Sequence, residues 1–120
     1  MIPLTPFSSR KVNDLTPYDI NEIFENEPES AVVIDVREPW EYYGDTGHVK
    51  NSIHIPMGEI PDRLDSIRSH SGKKIILICN SGERSYYAAR YLMDNGLDNV
   101  YNADGGIMKW LMSGLDVEYE

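Results

Sequence analysis

The feature that most restricts the fold of this 120-residue chain is an apolar run that gives way, across a short polar turn, to a helical pattern. Residues 75–78 read Ile-Ile-Leu-Ile, which is typical of a strand covered on both faces. From Ser85 onward the period becomes that of a helix, and Gly96 stands where a glycine would end it. The inward positions of this predicted helix are Ser85, Ala88, Ala89 and Leu92. A strand that leads into a helix is the building unit of a parallel sheet.

The rest of the chain repeats this alternation of apolar strands and helical segments. Further strands are predicted at residues 31–36, 53–55 and 99–102, and helices from Pro17 onward and at 38–42, 61–68 and 107–112. The pattern predicts an α/β fold with helices on both faces of a parallel sheet. Ligands bind such sheets beyond the carboxyl ends of the strands. Asp35, Cys79 and Asp104 all lie at predicted strand ends.

Composition narrows the class of protein. A chain of this length with 41% hydrophobic residues predicts one domain with a single core, which we assign to residues 12–120. Residues 1–11 lack periodicity and are expected to form an N-terminal arm, mobile or laid over the surface. A net charge of −9 argues against nucleic-acid or anionic-membrane partners. A single cysteine and the lack of a long apolar stretch favour the cytoplasm.

That single cysteine, Cys79, stands where the apolar strand stops and the helix begins. A thiolate at a helix N-terminus is favoured by the helix dipole and by unpaired backbone N–H groups, so the thiol should ionise readily. Arg84 adds a positive charge at the end of the turn formed by residues 80–84. The alternative is that Cys79 is a small buried apolar residue. Its position favours the reactive interpretation.

Several motifs in a fixed order resemble those of the single-domain rhodaneses, in the rhodanese-like sulfurtransferase superfamily. They are Asp-Val-Arg-Glu-Pro-Trp-Glu-Tyr at 35–42, Gly-His-Val at 47–49, His-Ile-Pro at 54–56, Cys-Asn-Ser-Gly-Glu-Arg-Ser at 79–85, and Asp-Gly-Gly-Ile at 104–107 with Trp110. The resemblance covers nearly everything from about residue 12 to the C-terminus. It implies a five-stranded, mostly parallel sheet flanked by helices.

The resemblance also implies a sulfurtransferase that works through a cysteine persulfide. Cys79 would take a sulfane sulfur from a donor such as thiosulfate and pass it to a thiol, to cyanide or to a sulfur-carrier protein. The expected cradle for the outer sulfur is made of backbone amides of Asn80, Ser81, Gly82, Glu83, Arg84 and Ser85. Arg84 is expected to attract an anionic donor. No cofactor is needed, because the N–H groups and Arg84 can spread the negative charge that develops on the leaving group.

Three further charged residues are expected to affect this predicted site. Asp35 and Arg37 lie at the end of a buried strand, where an unpaired charge would be costly. They are therefore expected to form an ion pair or hydrogen bonds that support the active loop. Glu83 places a carboxylate inside the loop and would oppose thiosulfate unless it turns outward or pairs with a cation.

The three histidines do not form a recognisable metal-ligand spacing with Cys79.

Two alternatives compete with sulfur transfer. Cysteine phosphatases and arsenate reductases of the same fold use a cysteine loop that is one residue longer, because phosphate needs a wider cradle. Here four residues separate Cys79 from Arg84, which favours a single sulfur atom over phosphate. The other alternative is a non-catalytic binding or regulatory module, which would not need to retain Cys79, Gly82 and Arg84.

Overall fold

The computed structural model describes residues 11–120, and within them one sheet of five parallel strands organises the chain. The strands are β1 (Asn13–Leu15), β2 (Ala31–Asp35), β3 (Ile53–His54), β4 (Lys74–Ile78) and β5 (Val100–Ala103). Their spatial order is β1-β5-β4-β2-β3, so the strand that precedes Cys79 lies at the centre of the sheet. The predicted α/β fold with a five-stranded sheet is confirmed, and all the pairings are parallel.

Helices cover both faces of the sheet. They are α1 (Pro17–Asn26), α2 (Pro39–Tyr42), α3 (Leu64–Arg68), α4 (Glu83–Asp94) and α5 (Gly106–Met112), with short 3₁₀ turns at Pro28–Ser30, Met57–Glu59 and Pro61–Arg63. One core cluster includes Ile75 and Leu77 together with the inward residues of α3 and α4. The other includes Ile76 and Ile78 together with residues of α1 and α5. Alternate side chains of β4 therefore serve opposite layers, as a doubly covered strand requires.

The start of α1 follows the sequence signals closely. Thr16 caps the helix by accepting the backbone N–H of Asp19 at 3.1 Å, and the Asp19 carboxylate accepts the N–H of Thr16 at 3.0 Å. Pro17 occupies the first helical position, where its missing N–H costs nothing. This reciprocal capping fixes the point at which β1 turns into α1.

The structure departs from the sequence prediction most clearly in three segments. β1 was not predicted from the residue pattern, because Asn13 and Asp14 are exposed and polar. The turn after Cys79 is shorter than residues 80–84, because α4 already begins at Glu83. The segment 61–68 is not one helix but a 3₁₀ turn followed by the single short helix α3.

Two predictions concern the ends and the surroundings of the chain. The expected arm at 1–11 falls, apart from the exposed Lys11, outside the described residues, so the domain boundary stays a prediction. Within residues 11–120 the helices are too short or too polar to cross a bilayer. The cytoplasmic location also stays a prediction.

Candidate active site

The Cys79 sulfur lies at the carboxyl end of the central strand β4 and receives hydrogen bonds from the segment that follows it. The backbone N–H of Gly82 donates to the sulfur with an N···S distance of 3.1 Å. The Ser85 hydroxyl lies 3.2 Å from the same sulfur. Only 1% of the Cys79 residue surface is exposed, so these donors, and not bulk water, solvate the sulfur.

Opposing effects act on ionisation of this thiol. Burial raises the pKa of Cys79, because it disfavours the charged form. Hydrogen bonds from the Ser85 hydroxyl and from backbone groups of Ser85, Gly82 and Ser81 act in the opposite direction. Together these bonds outweigh burial, and the pKa of the thiol lies below its ordinary value. The environment therefore favours a thiolate, which is the nucleophilic form of cysteine.

The tight turn that aims the Gly82 N–H at the sulfur depends on glycine. Gly82 has φ +106°, a left-handed conformation that other residues rarely adopt. The turn also lies against the start of α5, where the carbonyls of Cys79 and Asn80 accept the N–H groups of Ile107 and Met108 at 2.9 and 3.1 Å. A Cβ at Gly106 would lie 2.5 Å from both carbonyl oxygens, so glycine permits this close approach.

Asn102 in β5 links the cysteine turn to the neighbouring strand. Its amide oxygen lies 2.6 Å from the Ser85 hydroxyl, and its Nδ2 donates to the Gly82 carbonyl oxygen at 3.2 Å. Asn102 is buried, with 5% of its surface exposed. It thereby positions both residues that hydrogen-bond the sulfur.

Arg84 does not stand free at the end of the turn. Its Nη1 and Nη2 donate to Oε1 and Oε2 of Glu41 at 2.7 and 2.8 Å, a bidentate ion pair between α4 and α2. Hydrogen bonds from Arg84 lower the pKa of Glu41 to about 2. Glu83, the residue that would oppose an anionic donor, is exposed on the first turn of α4.

Asp35 and Arg37 are fully buried and form an ion pair with an Nη2–Oδ2 distance of 2.9 Å. The guanidinium of Arg37 also donates to the Thr46 hydroxyl at 2.9 Å and to the Gly47 carbonyl at 2.8 Å. These bonds support the loop after α2 and not the turn after Cys79. The pair therefore fixes the loop that follows α2, the helix that carries Glu41.

The structure brings three of the six predicted cradle residues to the cysteine sulfur. Ser81, Gly82 and Ser85 surround the Cys79 sulfur, whereas the amides of Asn80, Glu83 and Arg84 have no described bond to it. Two polar partners were missed, Glu41 and Asn102. Glu41 belongs to the motif at 35–42, but its spacing from Arg84 gives no sign of contact. Within residues 11–120 no cluster of three or more His, Cys, Asp or Glu side chains could hold a metal ion.

Comparison with known families agrees with this geometry. The family described as "Rhodanese-like domain" matches residues 16–113, which include Cys79, its turn and every strand except β1. The chain belongs to the rhodanese-like family. A rhodanese-related protein from Thermoplasma volcanium has a similar structure, with a TM-score of 0.79 and 32% identity, over 90% of this chain and 99% of that one.

Other relatives of this rhodanese-like chain are longer proteins. A tRNA uridine(34) hydroxylase from Salmonella newport is 33% identical over 87% of this chain, and the match spans 30% of that relative's length. An NAD-dependent persulfide reductase from A. fulgidus matches with a TM-score of 0.62 and 29% identity, over 82% of this chain and 16% of that one. The rhodanese-like chain thus corresponds to less than a third of each of these two relatives.

Proposed function

We propose that this protein is a sulfurtransferase that carries sulfur as a persulfide on Cys79. The observation that carries the proposal is the pair of donors on the cysteine sulfur, the Gly82 N–H at 3.1 Å and the Ser85 hydroxyl at 3.2 Å, at the end of a buried central strand. Such donors stabilise negative charge in a site with little water. The persulfide reductase relative lends support, since its printed name refers to a persulfide.

The proposed reaction has two displacement steps. The Cys79 thiolate attacks the outer sulfur of thiosulfate, the S–S bond of the donor breaks with its electron pair, and sulfite leaves. Cys79 is then a persulfide anion. An acceptor thiolate or cyanide attacks the outer sulfur of that persulfide, and the Cys79 thiolate returns. Charge and atoms balance in each step, and the covalent intermediate predicts ping-pong kinetics.

Intact-mass spectrometry tests this function directly. After incubation with a sulfane-sulfur donor, the chain should gain the mass of one sulfur atom, and addition of cyanide should remove it. Cys79→Ser should show no gain, whereas Ser71→Ala, at an exposed position away from the turn, should behave as the wild type. A bare thiol with every donor tested would instead favour the non-catalytic binding module.

A second candidate is a part in tRNA uridine modification, favoured by the printed name of the Salmonella relative. The net charge of −9 opposes it, because binding to the phosphate backbone rests on cationic side chains. Fluorescence anisotropy with a labelled tRNA distinguishes the two candidates. We expect no binding at physiological salt, whereas binding that weakens as salt rises would favour tRNA as partner.

A further inference from the structure

We infer that Glu41 makes the site selective against dianionic sulfur donors by holding Arg84, so that the favoured donors carry a single negative charge. The chemical class is that of organic persulfides and thiosulfonates, as opposed to thiosulfate. The inference rests on the proposed function, since it concerns the donor for the same cysteine.

Glu41 occupies both terminal nitrogens of the Arg84 guanidinium. Both terminal nitrogens of the guanidinium donate to the two carboxylate oxygens, at 2.7 and 2.8 Å. This fork-to-fork arrangement occupies the face that arginine uses to bind an oxyanion. A sulfonate group of a donor would have to displace Glu41 to bind in the same way.

Glu41 is also fixed by its own helix, α2. Its Oε1 accepts the backbone N–H of Glu38 at 3.0 Å, which is one half of the capping box at the start of α2. The backbone N–H of Glu41 in turn donates to the backbone carbonyl of Glu38 at 3.0 Å, so the two residues are bonded in both directions. Displacing Glu41 from Arg84 would therefore disturb the helix start as well as the ion pair.

The charges around the turn also disfavour a dianion. The pKa of Arg84 is raised chiefly by the hydrogen bonds to Glu41, and the Cys79 thiolate adds a smaller Coulombic contribution. Arg84 therefore lies within electrostatic range of the Cys79 sulfur. Once Glu41 has neutralised it, the exposed Glu83 leaves an excess negative charge beside the site. Lys109, whose side chain lies beside Gly105, is itself paired with Asp104 at 2.6 Å.

A matched pair of donors isolates the effect of charge. Thiosulfate is a dianion, and methanethiosulfonate is the monoanion in which a methyl group replaces one oxygen. In both, the Cys79 thiolate attacks the terminal sulfur and the S–S bond breaks, so that sulfite leaves from the first and methanesulfinate from the second. The acceptor chemistry is the same. The ratio of kcat/KM for the two donors therefore reports on discrimination by charge.

The test is Glu41→Gln. This substitution keeps an oxygen that can accept the Glu38 N–H, but it removes the negative charge that pairs with Arg84. We expect kcat/KM for thiosulfate to rise about tenfold, equivalent to about 1.4 kcal/mol, and kcat/KM for methanethiosulfonate to change by less than about threefold. Because the ratio compares two donors in one sample, partial loss of folded protein cancels. Adding Arg84→Ala to this variant should abolish the gain.

Two controls separate release of Arg84 from a general change of charge. Glu83→Gln removes one carboxylate charge from the first turn of α4, next to Arg84 in sequence, without freeing Arg84, and should give a clearly smaller rise in kcat/KM for thiosulfate. Glu59 forms an exposed ion pair with Arg63, and Glu59→Gln should leave kcat/KM for both donors unchanged. An unchanged donor ratio in Glu41→Gln, or an equal rise in Glu83→Gln, would overturn the inference. Failure of the wild type to form a persulfide with either donor would instead refute the proposed function.

Discussion

The Ser85 hydroxyl lies 3.2 Å from the Cys79 sulfur, within reach to donate its only proton to it. The same hydroxyl lies 2.6 Å from the amide oxygen of Asn102, which competes for that proton. A charged sulfur is the stronger acceptor, so ionisation of Cys79 should turn the hydroxyl towards the sulfur. We therefore expect the orientation of the Ser85 hydroxyl to follow the charge on Cys79.

Removing this hydroxyl should make the thiol harder to ionise. In Ser85→Ala the thiolate loses a bond of the kind worth about 1.5–3 kcal/mol to a charged group, so we expect the pKa of Cys79 to rise. The pH dependence of alkylation by iodoacetamide measures this shift, because only the thiolate reacts. The midpoint should lie below that of free cysteine in the wild type and move upward in the variant.

Ser71→Ala is the matched control for this measurement, because Ser71 is exposed and lies before β4. Its alkylation midpoint should equal that of the wild type. Equal midpoints for Ser85→Ala and the wild type would show that the Ser85 hydroxyl does not stabilise the thiolate.

The sequence was most informative where local chemistry decides the structure. The apolar run of β4, the helix start at Pro17 and the glycine after α4 each depend on neighbouring residues, and each is present as predicted. The position of Cys79 is predictable in the same way. The residue that joins a parallel strand to the helix after it lies at the carboxyl ends of the strands, where ligands bind.

Features that depend on distant partners were not predictable in this way. β1 is polar at Asn13 and Asp14 and becomes a strand through pairing with β5, which lies far along the chain. The Glu41–Arg84 pair joins residues 43 positions apart. The residues next to a charged side chain in sequence do not indicate its partner in the fold. The expectation that Arg84 attracts an anionic donor therefore did not include its ion pair with Glu41.

Gly82 provides a test of the turn itself. In Gly82→Val a β-branched residue must adopt φ near +106°, which costs about 1–3 kcal/mol or forces the turn to rearrange. Rearrangement would move the N–H that donates to the Cys79 sulfur. We expect persulfide formation, followed by intact mass, to slow at least about tenfold.

Gly72→Val is the matched control, since a Cβ at Gly72 has nothing within 4 Å and its φ is not in the left-handed region. It should change the persulfide rate and the free energy of unfolding little. Wild-type rates in Gly82→Val would mean that sulfur transfer does not need this backbone geometry.

The Glu41–Arg84 pair should make stability depend on pH. The folded pKa of Glu41 is about 2, below its ordinary value of 4.5, so the pair stabilises the fold above pH 4.5 and this contribution is lost as pH falls towards 2. Urea unfolding should show Glu41→Gln to be less stable than the wild type at neutral pH, with a difference that shrinks over that interval. Glu59→Gln, in an exposed pair at 3.7 Å, should differ from the wild type by less than about 0.5 kcal/mol at every pH. A Glu41→Gln difference that stays constant with pH would contradict this account.

Breaking the buried Asp35–Arg37 ion pair should lower the free energy of unfolding more than any of the substitutions above. Asp35→Asn leaves the guanidinium of Arg37, which has no exposed surface, without its counter-charge. Loss of one partner of a buried pair typically costs about 3–5 kcal/mol, and we expect a decrease of that size in the free energy of unfolding by urea. Asp45→Asn, an exposed carboxylate in the loop that Arg37 supports, should stay within about 0.5 kcal/mol of the wild type. A loss below about 1 kcal/mol in Asp35→Asn would mean that hydrogen bonds to Thr46 and Gly47 suffice to hold the buried charge.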